Sequence, residues 1–206
     1  MFGAITKFPP LATRGAVDGE KRPGFSGLGA FPHYWFGVLA QFAYVGAQVG
    51  VWSFVIRYTV FNTPGTADKL AADNLLITLT LFFAGRFAGT LLMSRVRPAL
   101  LLGTFATIDV GLCIAAASAG GNVGLYSLMA TSFFMSIQFP TIFTISLRGL
   151  GEHTKAGSSF LVMAIVGGAI IPPLMGLVSD ASSINVAFFV PAVCFAVVAA
   201  FGFKSR

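Results

Sequence analysis

The chain has 206 residues, of which 56% are hydrophobic and only 10% charged, against roughly 25% charged in an ordinary soluble protein. A water-facing surface cannot be covered from such a composition, so the chain reads as an integral membrane protein whose solvent is a lipid bilayer. The formal net charge of +6 does not point to nucleic acid, because the basic residues sit at the ends of apolar runs, where they set membrane orientation.

Residues 1–32 carry Pro9, Pro10, Pro23 and Pro32, several glycines, and Lys7, Arg14, Lys21 and Arg22. They lack an apolar run long enough for a signal-peptide core and read as a flexible basic tail ahead of a membrane domain over residues 33–206. His33 stands where tail and first span meet, which suits an interfacial or capping role.

The first span, residues 34–52, reads YWFGVLAQFAYVGAQVGVW. At helical pitch Tyr34, Gly37, Gln41, Tyr44, Gln48 and Trp52 fall within about 40° of one line. Carboxamides pair with vicinal hydroxyls and aromatic faces suit the C–H side of a pyranose, so the stripe has the chemistry of a wall of a sugar-sized cavity. The same amides also serve to hydrogen-bond neighbouring membrane helices.

Arg57 and Tyr58 read as an interface, followed by a turn-rich connection, TVFNTPGTADKLAAD. Asp73 and Asn74 are placed to cap a second span over residues 74–93. That span carries Arg86, a mid-membrane charge that marks function or a structural clamp, between Gly85 and Gly89, a small-xxx-small pair that permits close helix contact. A basic turn, residues 94–98, leads into a third span over 99–117 with Asp109 near its middle. A carboxylate at that depth has to be protonated or paired and is a candidate for proton coupling, or it hydrogen-bonds a neighbour.

The fourth span, residues 123–147, carries a second polar stripe of Ser127, Thr131, Gln138 and Thr141, with Pro140 expected to bend the helix. Gln138 at that bend is a candidate substrate contact. A short charged loop, RGLGEHTK, contains His153 and Glu152 and reads as solvated surface. The fifth span, 158–178, contains Gly167, Gly168, Pro172 and Pro173 and is expected to be broken, and a sixth runs over 184–203. Cys113 and Cys194 lie inside apolar runs and read as small buried hydrophobes. No metal-ligand spacing, nucleophile–base constellation or phosphate loop is visible, so neither an enzyme nor a cofactor is implied.

Six spans of about 20 residues each match a hydrocarbon core about 30 Å thick and put both termini on one side. That side collects Lys7, Arg14, Lys21, Arg22, Arg95, Arg97, Arg148, Lys155, Lys204 and Arg206, against Arg57 and Lys69 opposite, so both termini are expected to be cytoplasmic. The fold class is all-α integral membrane.

Particular strings then resemble the C-terminal half of the fucose:proton symporter family: GVLAQFAYVGAQVGVWSFVIRY at 37–58, GRFAGT at 85–90, FMSIQFPTIF at 134–143 and TKAGSSFLVMAIVGGAIIPPLMGLVSDA at 154–181. The resemblance runs from about residue 32 to the end. It implies one six-helix half of a major facilitator transporter in a bacterial inner membrane, with residues 1–32 matching the end of a central cytoplasmic loop. It also implies a sugar site midway across the membrane, alternately opened by rocking of two halves, with a proton as co-substrate. The positions matching the family's sugar contacts are Gln41, Tyr44, Gln48, Trp52, Asn74 and Gln138. The family's coupling carboxylates lie in the other half, so the expected partner is an N-terminal six-helix half supplied as a separate chain, or a second copy of this one. L-fucose is the first expectation for the sugar, with galactose, glucose or arabinose next. Two positions depart from the resemblance: Phe139, where a tyrosine is expected, and Asp109, where a small apolar residue is expected. Asp109 is therefore not a proton site carried over from the family. A non-transporting sugar-sensing module is the alternative from another functional class.

Overall fold

A computed structural model describes residues 25–63, 65 and 68–205. Among them it is helical throughout, with α1 (Pro32–Asn62), α2 (Asp68–Met93), α3 (Pro98–Ala119), α4 (Gly121–Met135), α5 (Gln138–Ser146), α6 (Thr154–Met163), α7 (Gly167–Ala181) and α8 (Phe189–Lys204). Joined across short breaks they make six membrane-length spans: α1, α2, α3, α4 with α5, α6 with α7, and α8 with its 3-10 lead-in. The basic tail up to residue 24 lies outside the described residues. The end of the tail is structured: Phe25–Ala30 form a 3-10 turn whose Leu28 is buried with Tyr34, Leu150 and Leu161.

The first span is longer than its apolar run. At 31 residues it measures about 46 Å along its axis, more than the hydrocarbon thickness of about 30 Å. Arg57 and Tyr58 consequently belong to the helix instead of marking its end, and Tyr58 is buried. The second span also starts earlier than its punctuation suggests, at Asp68. Asp73 and Asn74 therefore lie inside α2 and do not cap it, and the Asn74 carbonyl accepts the Thr78 hydroxyl at 2.7 Å.

Proline explains one break directly. Pro140 has no N–H, and its ring crowds the carbonyl four residues back; that residue is Ser136, where α4 stops and α5 has not begun. The fifth span breaks elsewhere than its prolines suggest. Pro172 and Pro173 are accommodated inside α7, while the irregular segment is the 3-10 turn Ala164–Val166 just ahead of it.

In lipid there is little hydrophobic drive between helices, so association rests on close packing and interhelical hydrogen bonds. The first span is the hub, touching α8, α7, α5, α2 and α4. Gly167 meets the Phe42 carbonyl, Gly85 meets the Phe133 carbonyl, and Gly89 meets Ile137, so the Gly85/Gly89 pair does make the close helix contact its spacing implied, against the α4–α5 break. At the other end of the bundle the α3–α4 turn uses Gly120 and Gly121 at φ 60° and 53°, a region open to glycine. Asn62 seals it. Its Nδ2 donates to Asn185 Oδ1 at 2.8 Å, and its Oδ1 accepts the Gly121 N–H at 3.0 Å and Asn185 Nδ2 at 3.2 Å.

Coverage is uneven. Of the apolar window of the first span and of the fourth, 61% is buried, against 17% for α2 and 28% for the α6–α7 span. Leu76, Phe83, Phe87 and Leu91 of α2 and Met163, Val166 and Leu177 of the fifth span are all exposed, so these two spans present the open faces of the half.

Candidate functional site

Part of the polar and aromatic set meets at the antiparallel seam between α1 and the α4–α5 span. The register is fixed by contacts along its length: Gly37 against Ser146, Tyr44 beside Phe139 with ring centroids 6.3 Å apart, Trp52 against Ser132, and Tyr58 against Gly124. Helix ends leave carbonyls without intrahelical donors, and two tyrosines of α1 supply the missing hydrogens. Tyr44 Oη donates to the carbonyl of Met135, the last residue of α4, at 2.9 Å. Tyr58 Oη donates to Ala116, in the last turn of α3, at 2.7 Å. Trp52 Nε1 donates to Ser132 Oγ at 3.0 Å, and the indole meets the Phe82 ring edge-on at 5.0 Å.

The six expected sugar contacts do not form one open wall. Gln41, Tyr44 and Gln138 are fully buried inside the half, whereas Gln48, Trp52 and Asn74 are half-buried. Asn74 lies about 12 Å along α2 from Phe82, the ring that Trp52 touches. Gln41 has neither amide atom hydrogen-bonded, an arrangement that costs about 1–3 kcal/mol for each unpaired group unless a further partner is supplied. The cavity of about 320 Å³ bounded by His33, Phe36, Arg148 and Lys204 lies at the Pro32 end of the bundle and includes none of the six.

The second stripe separates into two kinds of residue. Ser127, Thr131 and Thr141 each donate to a carbonyl four residues back in their own span, a local closure that hydroxyls in helices favour. Gln138 reaches across instead, with Nε2 donating to Asp109 Oδ2 at 2.6 Å. Sequence reasoning treated these two residues separately. A depth count would have joined them, since Asp109 and Gln138 both lie roughly 15 Å along their helices from the ends at Pro98 and Leu147.

Arg86 is exposed on α2, with its guanidinium over the Phe82 ring at 5.9 Å, so within this half it clamps no second helix through an ion pair among the described residues. The arrangement as a whole offers hydrogen-bonding amides, aromatic faces and, among the described residues, one buried carboxyl. Carboxamides and aromatic rings of this kind can hydrogen-bond and stack on polyhydroxyl compounds.

No family model matches the chain. It is 47% identical over 207 residues to the L-fucose-proton symporter of Escherichia coli, an alignment that covers 98% of this chain and 47% of that protein. It is 34% identical to the L-fucose-proton symporter of Haemophilus influenzae, covering 98% of this chain and 48% of that one. It is also 34% identical to the glucose/galactose transporter of Brucella abortus, covering 97% and 48%. The fold superposes on the crystal structure of the E. coli fucose:proton symporter FucP with a TM-score of 0.86 and 49% identity, over 88% of this chain and 44% of that one. A structure of FucP, a major facilitator superfamily transporter, in the outward conformation gives the same values. The chain thus spans about half the length of the curated relatives it matches. It is a homologue of the fucose-proton symporters, with the fold of one six-helix half of a major facilitator superfamily transporter.

Proposed function

We propose that this chain supplies the C-terminal wall of a proton-coupled sugar transporter of the L-fucose:proton symport type, in the bacterial cytoplasmic membrane with both termini cytoplasmic. The observation that carries this reading is the 47% identity to an L-fucose-proton symporter sustained across 98% of the chain. A polar seam at mid-span agrees with it. Gln48, Trp52 and Asn74 are the groups offered first to a sugar. Gln41, Tyr44 and Gln138 come within reach when the α4–α5 break at residues 136–137 flexes, in the manner of the broken helices that frame transporter sites.

Transport needs a second wall, supplied by a separate six-helix chain or by a second copy of this one, docked on the open faces of α2 and the α6–α7 span. Arg86, exposed on α2, then faces that partner. The 34% identity to a glucose/galactose transporter favours a second reading in which the sugar is a hexose such as galactose or glucose.

Binding of labelled L-fucose, D-galactose and D-glucose to membranes carrying this chain together with a symporter N-terminal half tests the assignment. Saturable L-fucose binding displaced poorly by the hexoses is the expected result. Preferential hexose binding would establish the second reading. No saturable binding of any of the three, with both chains present in the membrane, would refute a sugar site and with it the sugar-sensing alternative.

A further inference from the structure

Asp109 is fully buried in α3, whereas Asp73, Glu152 and Asp180 are exposed. Among the described residues no basic side chain pairs with it. Around α3 pack α8, α4 and α5, and the side chains that bear on the carboxyl from these helices and from α1 are few. Gln138 of α5 bonds it directly. Tyr44 of α1 lies within electrostatic range, as does Cys113 one turn further along α3, with Cys194 of α8 beyond. The Tyr44 hydrogen is committed to the Met135 carbonyl. Arg86 is exposed and lies over Phe82, within electrostatic range of Tyr44 but not hydrogen-bonded to the carboxyl.

The hydrogen bonding of the pair is one donor short. Gln138 Nε2 serves Asp109 Oδ2 at 2.6 Å and the Phe134 carbonyl at 3.3 Å. Asp109 Oδ1 and Gln138 Oε1 are both buried acceptors with no donor. Turning the amide round does not cure this, because a carboxylate and a carboxamide together hold three acceptor oxygens and a single NH₂. A hydrogen on the Asp109 carboxyl is the donor that is missing: the acid O–H gives to the Gln138 carbonyl oxygen while the amide gives to the other carboxyl oxygen.

We propose that Asp109 is a proton-binding site within this half and that its hydrogen is shared with Gln138, so that a sugar-site amide senses whether the carboxyl is occupied. The link to sugar rests on the transport reading above; the bound hydrogen rests on the geometry of the pair alone.

Infrared spectroscopy of the chain in lipid vesicles tests the site without any sugar. A carboxylic-acid C=O band persisting at neutral pH, sensitive to D₂O and lost in Asp109→Asn, is expected. Gln138→Leu, which removes a donor to the carboxyl, should move the band to higher frequency. Ordinary carboxyls deprotonate in the acid range, so a pH series on the unmodified chain decides the matter even where a variant does not fold. Complete loss of the acid band by neutral pH, or an undiminished band in Asp109→Asn, would overturn the proposal. With a second half present, Asp109→Asn, which keeps a donor at this position, should hold sugar affinity near the original value. Asp109→Leu, which keeps none, should lower it about tenfold. Equal affinities in the two variants would break the link to Gln138. An intact acid band with no sugar binding would sink the transport reading and leave the proton site standing.

Discussion

At the residue scale, what decides function here is how amides and hydroxyls are satisfied where there is no water. Ser127, Thr131 and Thr141 close onto their own backbone and have little left to offer a ligand, which is why a stripe drawn from pitch alone overstates the site. Gln48 is half-buried, and the proposed transporter offers it to a sugar. Gln48→Ala, removing one neutral hydrogen bond, should weaken sugar affinity about two- to twelvefold in the assembled transporter. Gln138→Ala should cost more, because it also strips the Asp109 carboxyl of its one amide donor. Unchanged affinity in both variants would remove the two residues from the site. Arg86→Ala should leave the melting temperature of the isolated half unchanged, since its side chain is exposed; a clear drop would restore the clamp inside this half.

At the element scale, the breaks and the close approaches set the architecture. The bend tied to Pro140 was legible in the sequence, since a proline in a helix acts on the residue four before it. That the fifth span would break was legible too, from Gly167, Gly168 and the two prolines; its place at Ala164–Val166 was not, because it answers to packing: Gly167 sits against the backbone of α1 at Phe42, and the chain turns just ahead of that contact. Punctuation likewise misplaced the ends of α1 and α2, where helical geometry continues through residues that read as loop. Gly85→Val would drive a branched side chain into the Phe133 carbonyl and should cost about 1–3 kcal/mol. Gly111→Ala, with open space around it, should cost almost nothing. Thermal melts in detergent that failed to separate the two would contradict the packing described for α2. The reciprocal Asn62–Asn185 amides should show a coupling of about 0.6 kcal/mol in a double-mutant cycle, and additivity would mean that they tie nothing.

At the scale of the whole molecule, the sequence disclosed the number of spans and their apolar character directly, because a bilayer of fixed thickness demands runs of fixed length. It disclosed the polar seam in part: Tyr44 and Trp52 of α1 do hydrogen-bond the fourth span. It could not disclose that Gln41, Tyr44 and Gln138 are covered within the half, since coverage depends on which helices pair, or that Asp109 and Gln138 meet across two spans. The open faces of α2 and the α6–α7 span follow from the same packing, and in the proposed transporter they take the second half. Uptake of radiolabelled L-fucose answers this most directly, in cells lacking their own fucose permease that express this chain alone or with a symporter N-terminal half, with the proton gradient intact or collapsed. Uptake that appears only with the second half and disappears with the gradient is the predicted result. No uptake in any combination, with both chains verified in the membrane, would contradict a role in proton-coupled sugar transport.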